Sequence, residues 1–144
     1  SYCKSVDEVW HAGDIGSIEV VDKIKHLKPL KGVFGNIDNH VIRNEFPLDY
    51  KFICEDIKVW ITHIGGYPNR YSKRVSENLK HEKVDLFICG HSHILKIIND
   101  KKHNLLHINP GAIGKHGFHN KRTMVRFEID GKKIENLEII EFNR

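Results

Sequence analysis

The stretch "VDLFICGHSHILKI" at residues 84–97 ends a run of strand-forming residues on a glycine and then sets His91 and His93 one residue apart. Imidazoles so placed can ligate a metal ion or carry a proton. Three other apolar runs end in the same manner, at Gly13-Asp14, at Gly35-Asn36-Ile37-Asp38 and at Thr62-His63. Glycine permits the sharp turn, and ligands of α/β proteins bind beyond the carboxyl ends of the strands. If the four strands share one rim, they gather Asp14, Asn36, His63, His91 and His93, a set of oxygen and nitrogen donors without a thiolate. That set suits Mn²⁺, Fe or Zn²⁺ and is too rich in histidine for Mg²⁺ or Ca²⁺. Two metals about 3.5–4 Å apart could share Asp14, the one carboxylate of the set. Such a pair lowers the pKa of a shared water and clamps the oxygens of a phosphate.

The elements that must position these residues follow from periodicity. "VDEVWHAGD" (6–14) reads as a short strand, and Ser17 can cap a helix whose apolar face is Val20, Ile24 and Leu27. "LKGVFGNID" (30–38) is a second strand ending in a Gly-Asn turn. "YKFICEDIKVWITHIGG" (50–66) predicts a hairpin turning near Glu55-Asp56, its second arm ending at His63. Tyr71, Val75 and Leu79 give the segment 70–83 one apolar helical face. Strands follow at 84–88, 94–98 and 105–108, and Asp130-Gly131 predicts a hairpin between 123–129 and 133–140. Strands alternate with helices first and form antiparallel hairpins later. The fold class expected is α/β, with two packed mixed β-sheets flanked by helices, in a single domain spanning residues 1–144.

Composition narrows the function. No apolar run approaches the roughly 20 residues of a membrane-spanning helix, and no leader or lipidation motif is visible at residues 1–10. A net charge of +4, scattered along the chain, gives little support to nucleic-acid binding. Three cysteines without a C-x-x-C pair, two of them inside apolar strands, read as small hydrophobes in a reducing, cytoplasmic setting. Histidine is the excess residue, with eleven in 144. His11 reads as strand packing, and His26 and His81 as solvated helix positions. His103, His107, His116 and His119 could border the pocket, and "GKHGFHNKR" (114–122) is basic enough to touch a phosphate. Trp10 and Trp60 read as core residues.

The ordered motifs G-D, G-N, a lone His and G-H-S-H, across residues 13–93, resemble the calcineurin-like metallophosphoesterase superfamily. With "NPG" at 109–111 they resemble in particular its small, single-domain YfcE-like branch. The resemblance implies a four-layer sandwich and hydrolysis of a phosphodiester or phosphomonoester, the diester first, by a metal-activated water. It implies two divalent metal ions, manganese foremost, with iron, zinc or nickel as alternatives. Asp14 would bridge them, Asn36, His63 and His91 would hold the second, and His93 would reach back to the first. Asn36 and Asp38 would serve catalysis, Asp38 by hydrogen bonding to a ligand or substrate, although by its physics Asp38 could equally be a turn residue. The partner implied is a small phosphoester or a nucleotide.

Two departures from that pattern stand out. The family's D-x-H motif does not occur before Asp14, and the sequence opens on Ser1. This raises the expectation of an N-terminally incomplete chain, part of one about 20–30 residues longer, a length set by one strand, one turn and one helix. The first metal would then keep only Asp14 and His93. Ile37 also stands where many relatives place a histidine that acts as general acid, a histidine the YfcE-like branch lacks as well. His40 could replace it only through loop geometry. The competing reading is a non-catalytic protein-interaction scaffold, since the retromer scaffold subunit resembles the same fold.

Overall fold

The segments richest in apolar residues become the middle of a five-stranded mixed sheet. The computed structural model describes residues 6–114 and 121–143. In chain order its elements are β1 (Val9–His11), α1 (Ile18–Leu27), β2 (Leu30–Gly32), α2 (His40–Glu45), β3 (Asp49–Cys54), β4 (Ile57–Thr62), β5 (Gly66–Tyr67), β6 (Arg70–Tyr71), α3 (Lys73–His81), β7 (Leu86–Ile88), β8 (Lys96–Asp100), β9 (Leu105–Asn109), β10 (Lys121–Asp130) and β11 (Lys133–Asn143). The large sheet has the order β3-β4-β7-β9-β8. Its inner strands β4, β7 and β9 run parallel, and β3 and β8 close its edges antiparallel. The inner strands are buried almost throughout, as strands covered on both faces must be, whereas β3 alternates toward solvent.

Two cores cover the two faces. On one, Ile57, Val59, Ile61, Leu86, Ile88 and Ile108 pack against Ala12 and Val33 and against apolar side chains of β10 and β11. On the other, Trp60, Phe87 and Leu105 meet Val75 and Leu79 of α3. A third cluster joins Val21 of α1, with Ile42 and Phe46 in and after α2, to Ile15. The layers therefore run helices, strands, sheet, helix, as expected. The second strand layer is divided, however, into the parallel pair β1–β2 and the separate hairpin β10–β11, with β5–β6 as a small pair of its own. Among the described residues no helix is long and apolar enough to cross a membrane.

Several expected boundaries shift for local reasons. Ser17 caps α1, but the helix turns Val21 into the core and leaves Val20 and Leu27 partly exposed. Helix α3 begins at Lys73 under the Ser72 cap, because Arg70 and Tyr71 are taken into pairing with Gly66 and Tyr67. Short helix α2, capped by Asn39, was not signalled by the pattern. The turns at Glu55-Asp56 and Asp130-Gly131 fall where predicted, Glu55 and Gly131 taking φ of 52° and 61°. Trp60 is buried, and Trp10 packs edge-on against Phe52 and Phe127, both core roles as read from sequence.

His107 does not border a pocket. It is fully buried in β9, its Nε2 donates to the Gly66 carbonyl at 2.9 Å, and its ring lies among Tyr71 and Phe87. His103 is engaged on the same side, its Nδ1 2.9 Å from Asp100, which also accepts from the Tyr71 hydroxyl. His116 and His119 lie outside the described residues. Burial holds His107 below the ordinary histidine range, and burial acts on His11 in the same direction. A histidine kept neutral by folding contributes stability that is present above its unfolded pKa of about 6.5 and is lost as pH falls below it. The urea midpoint should therefore fall between pH 7.5 and pH 5.5. The fall should be shallower in His107→Gln, which keeps an N–H for Gly66 and does not titrate. Equal slopes would remove His107 from the account.

Candidate metal centre

Parallel pairing fixes which ends of the strands meet. β1 runs beside β2 and β4 beside β7, so the segments after each pair emerge on a common side. The loops that follow carry Asp14, Asn36, His63 and His91, and the structure brings these four side chains together. His63 Nε2 lies 2.8 Å from Asn36 Oδ1 and 3.2 Å from Asp14 Oδ2. His91 Nδ1 lies 3.1 Å from the same Asn36 oxygen, with the two imidazole centroids 5.3 Å apart. Asp14 Oδ1 is turned away, accepting from the Ile37 amide at 3.1 Å. His93 stands two residues beyond His91 on the same loop and is half-buried; the contacts above join the other four candidates.

Backbone conformation serves this convergence. Asp14, His91 and His93 have φ of 56°, 70° and 63°, in the left-handed region that non-glycine residues seldom occupy. Such conformations concentrate where the surroundings demand a particular side-chain direction. Gly35 must be glycine because a Cβ there would lie 2.0 Å from Asp14 Oδ1. Gly13, at φ 100°, would drive its Cβ to 2.4 Å from the His63 ring.

The protonation of His63 decides what the ring can hold. Its Nδ1 is 2.7 Å from the Ala12 carbonyl, which can only accept, so the proton sits on Nδ1. In the neutral imidazole Nε2 then presents a lone pair to two oxygens that are themselves acceptors. Turned over, the Asn36 amide would donate to both imidazoles; with Oδ1 inward it offers a ligand instead. Among the described residues no group of three or more His, Cys, Asp or Glu side chains is arranged to hold a metal by itself. The set closes only through the Asn36 amide. Two imidazoles, an amide oxygen and one carboxylate match the donor preferences of a single borderline divalent cation.

Residues beyond the ring hold its loops, and sequence reading did not find most of them. Asp38, 4% exposed, does not face the ring. Its oxygens accept from the amides of Ile15 at 3.0 Å, Gly16 at 2.9 Å and Gly35 at 2.8 Å. It ties the Asp14 loop to the Asn36 loop, and the contact with Gly35 three residues before it also fits the turn role. Arg43 donates to the carbonyls of Asp38 at 2.8 Å and Asn36 at 3.2 Å while its guanidinium covers Phe34. Buried Asn109 donates to the Gly90 carbonyl and to Ser92 Oγ, both at 3.1 Å, so the "NPG" segment braces the His91 loop. Ser92 also meets the Tyr67 hydroxyl. His11, read as packing, accepts from the Gly13 amide at 3.1 Å and so shapes the turn before Asp14. His40 is the first residue of α2 and is exposed.

Comparisons with known proteins bear on the family and the fold. The model of the calcineurin-like phosphoesterase superfamily domain matches residues 1–132. A "Probable metallophosphoesterase" of Methanothermobacter thermautotrophicus is 27% identical over 134 residues, covering 92% of this chain and 74% of the relative. A second, from Methanocaldococcus jannaschii, is 32% identical over 111 residues, 75% of this chain; the match spans about half of that relative, 54%. Vps29 from Entamoeba histolytica, in its complex with zinc, superposes with a TM-score of 0.70 at 17% identity, covering 96% of this chain and 83% of its own.

Proposed function

The chain belongs to the calcineurin-like phosphoesterase superfamily, and we propose that it hydrolyses a phosphoester, a diester in preference to a monoester, with a divalent cation seated among Asp14, Asn36, His63 and His91. The observation that carries this reading is the meeting of His63 Nε2, Asn36 Oδ1 and Asp14 Oδ2, with Nδ1 of the same imidazole committed to the Ala12 carbonyl. With the amide oxygen inward, one cation satisfies all three.

A divalent cation bound there supplies Lewis acidity toward water and toward a phosphoryl oxygen. The chain does the rest. The Ala12 carbonyl keeps Nε2 of His63 directed inward, and the Ile37 amide turns one oxygen of Asp14 aside so that the other faces the ring. Asp38 and Asn109 hold the loops so that the donors need no rearrangement when a phosphate arrives, which is the condition for electrostatic stabilisation of the transferring oxygens. The leaving oxygen takes its proton from water or from a loop histidine.

Manganese is the first candidate cation, and the zinc complex of the Entamoeba protein supports zinc as an alternative. A second cation would share Asp14 and take His93 as a further ligand. The substrate is a small phosphoester or a nucleotide. Free thiols at Cys54 and Cys89 support a reducing, cytoplasmic setting. The scaffold reading of the same fold is favoured by one feature, the single carboxylate in the ring.

Activity against bis(p-nitrophenyl) phosphate separates the two. Hydrolysis should vanish after dialysis against a chelator and return on addition of Mn²⁺. A chain that binds Mn²⁺ and hydrolyses no phosphoester would be the scaffold.

A further inference from the structure

Three exposed isoleucines stand one residue beyond candidate ligands on three separate loops. Ile37 follows Asn36, Ile64 follows His63 and Ile94 follows His93, with exposures of 64%, 46% and 55%. Consecutive Cα atoms lie about 3.8 Å apart, so Ile37 and Ile64 stand within one residue of the ring, and Ile94 lies three residues beyond His91 on the same loop. The Ile37 amide donates to Asp14 of the ring, and the Ile94 amide donates to Ser92 Oγ, beside His91, at 3.2 Å. Ile113, 45% exposed, belongs to the segment that Asn109 fastens to the His91 loop. A lone exposed isoleucine needs no explanation. A polar ring on which several independent loops each place one does.

We propose that these isoleucines form an apolar mouth that receives the organic group of the phosphoester, an aryl or alkyl substituent, while the ring takes the phosphate. The inference rests on the phosphoester reading above and names the substrate class for it. Position supports it: a substituent leaving a phosphate at the ring must pass the residues that flank the ligands. Scale supports it too. A protein partner would bury about 800 Å² per side in a continuous patch, whereas these side chains are separate and interrupted by polar residues. The chemistry recognised is therefore a phosphate with an apolar ester group, in preference to a small polar phosphate.

Calorimetric titration of the Mn²⁺-supplied chain with phenylphosphonate and with methylphosphonate tests this without turnover. Phenylphosphonate should bind about tenfold more tightly, the effect of moving one ring's apolar area out of water. The double variant Ile64→Ser, Ile94→Ser should bring the phenyl affinity down toward the methyl one while keeping its Mn²⁺ affinity. If the double variant does not fold, Ile94→Ser alone should narrow the ratio. Equal binding of both anions by the parent chain, or a ratio that survives the substitutions, overturns the apolar mouth and leaves the phosphoester reading standing. Failure of both anions to bind, together with no hydrolysis of any phosphodiester, overturns both readings.

Discussion

His91→Ala is expected to lower phosphodiester turnover, and the affinity for Mn²⁺, by at least about 100-fold. Even partners that only orient a ligand cost 10–100-fold when removed, and a ligand itself costs no less. His91 suits this test because it is exposed, so its loss empties no core. Its Nδ1 meets the Asn36 oxygen that also faces His63, and removing it opens one side of the ring. The backbone adds no new Cβ clash, since at φ 70° histidine already carries the Cβ that crowds the carbonyl in the left-handed region. His91→Asn, a residue that enters this region readily, should retain stability while still losing Mn²⁺. Turnover comparable to that of the parent chain at saturating Mn²⁺, in either variant, would remove His91 from the site.

The meeting of Asp14, Asn36, His63 and His91 was legible because each follows an apolar run directly. Parallel strands carry such residues to the same rim, so position along the chain translated into position in space. The hairpins were legible for a similar reason, since turn chemistry at Glu55-Asp56 and Asp130-Gly131 is local. What escaped was set by distant contacts. Nothing around Arg43 announces that its guanidinium will cap the carbonyls of Asn36 and Asp38, and nothing around Asn109 points to Gly90. In α1 the apolar residues Val20 and Val21 adjoin, and a pattern of period 3.6 admits either as the inward one. Packing against Ile42 and Phe46 decides for Val21. His107 misled because an imidazole in a strand reads equally as ligand or as core, and here the Gly66 carbonyl and the surrounding rings make it core.

Asp38→Ala is expected to destabilise the fold by about 3 kcal/mol or more and to weaken Mn²⁺ binding together with it. The carboxylate accepts three backbone amides, two of them, from Ile15 and Gly35, at buried residues. An orphaned buried donor costs about 1–3 kcal/mol, and water can reach only the exposed Gly16. These amides belong to two loops, one carrying Asp14 and the other Asn36, so loosening them separates a carboxylate and an amide that must stay in register. Asp38→Asn sharpens the test. It keeps one acceptor oxygen but turns an NH₂ group toward a backbone N–H, and it should lose both stability and Mn²⁺ affinity, though less than the alanine variant. Of the roles implied by family resemblance, a hydrogen bond to a ligand or to substrate, the second predicts the opposite division: a stable Asp38→Asn protein with full Mn²⁺ affinity and low turnover. Urea denaturation and a Mn²⁺ titration on the same two variants decide between them. Both carboxylate oxygens are already committed to backbone amides of the Asp14 and Asn36 loops, which is why the loss of stability and the loss of Mn²⁺ affinity should appear together.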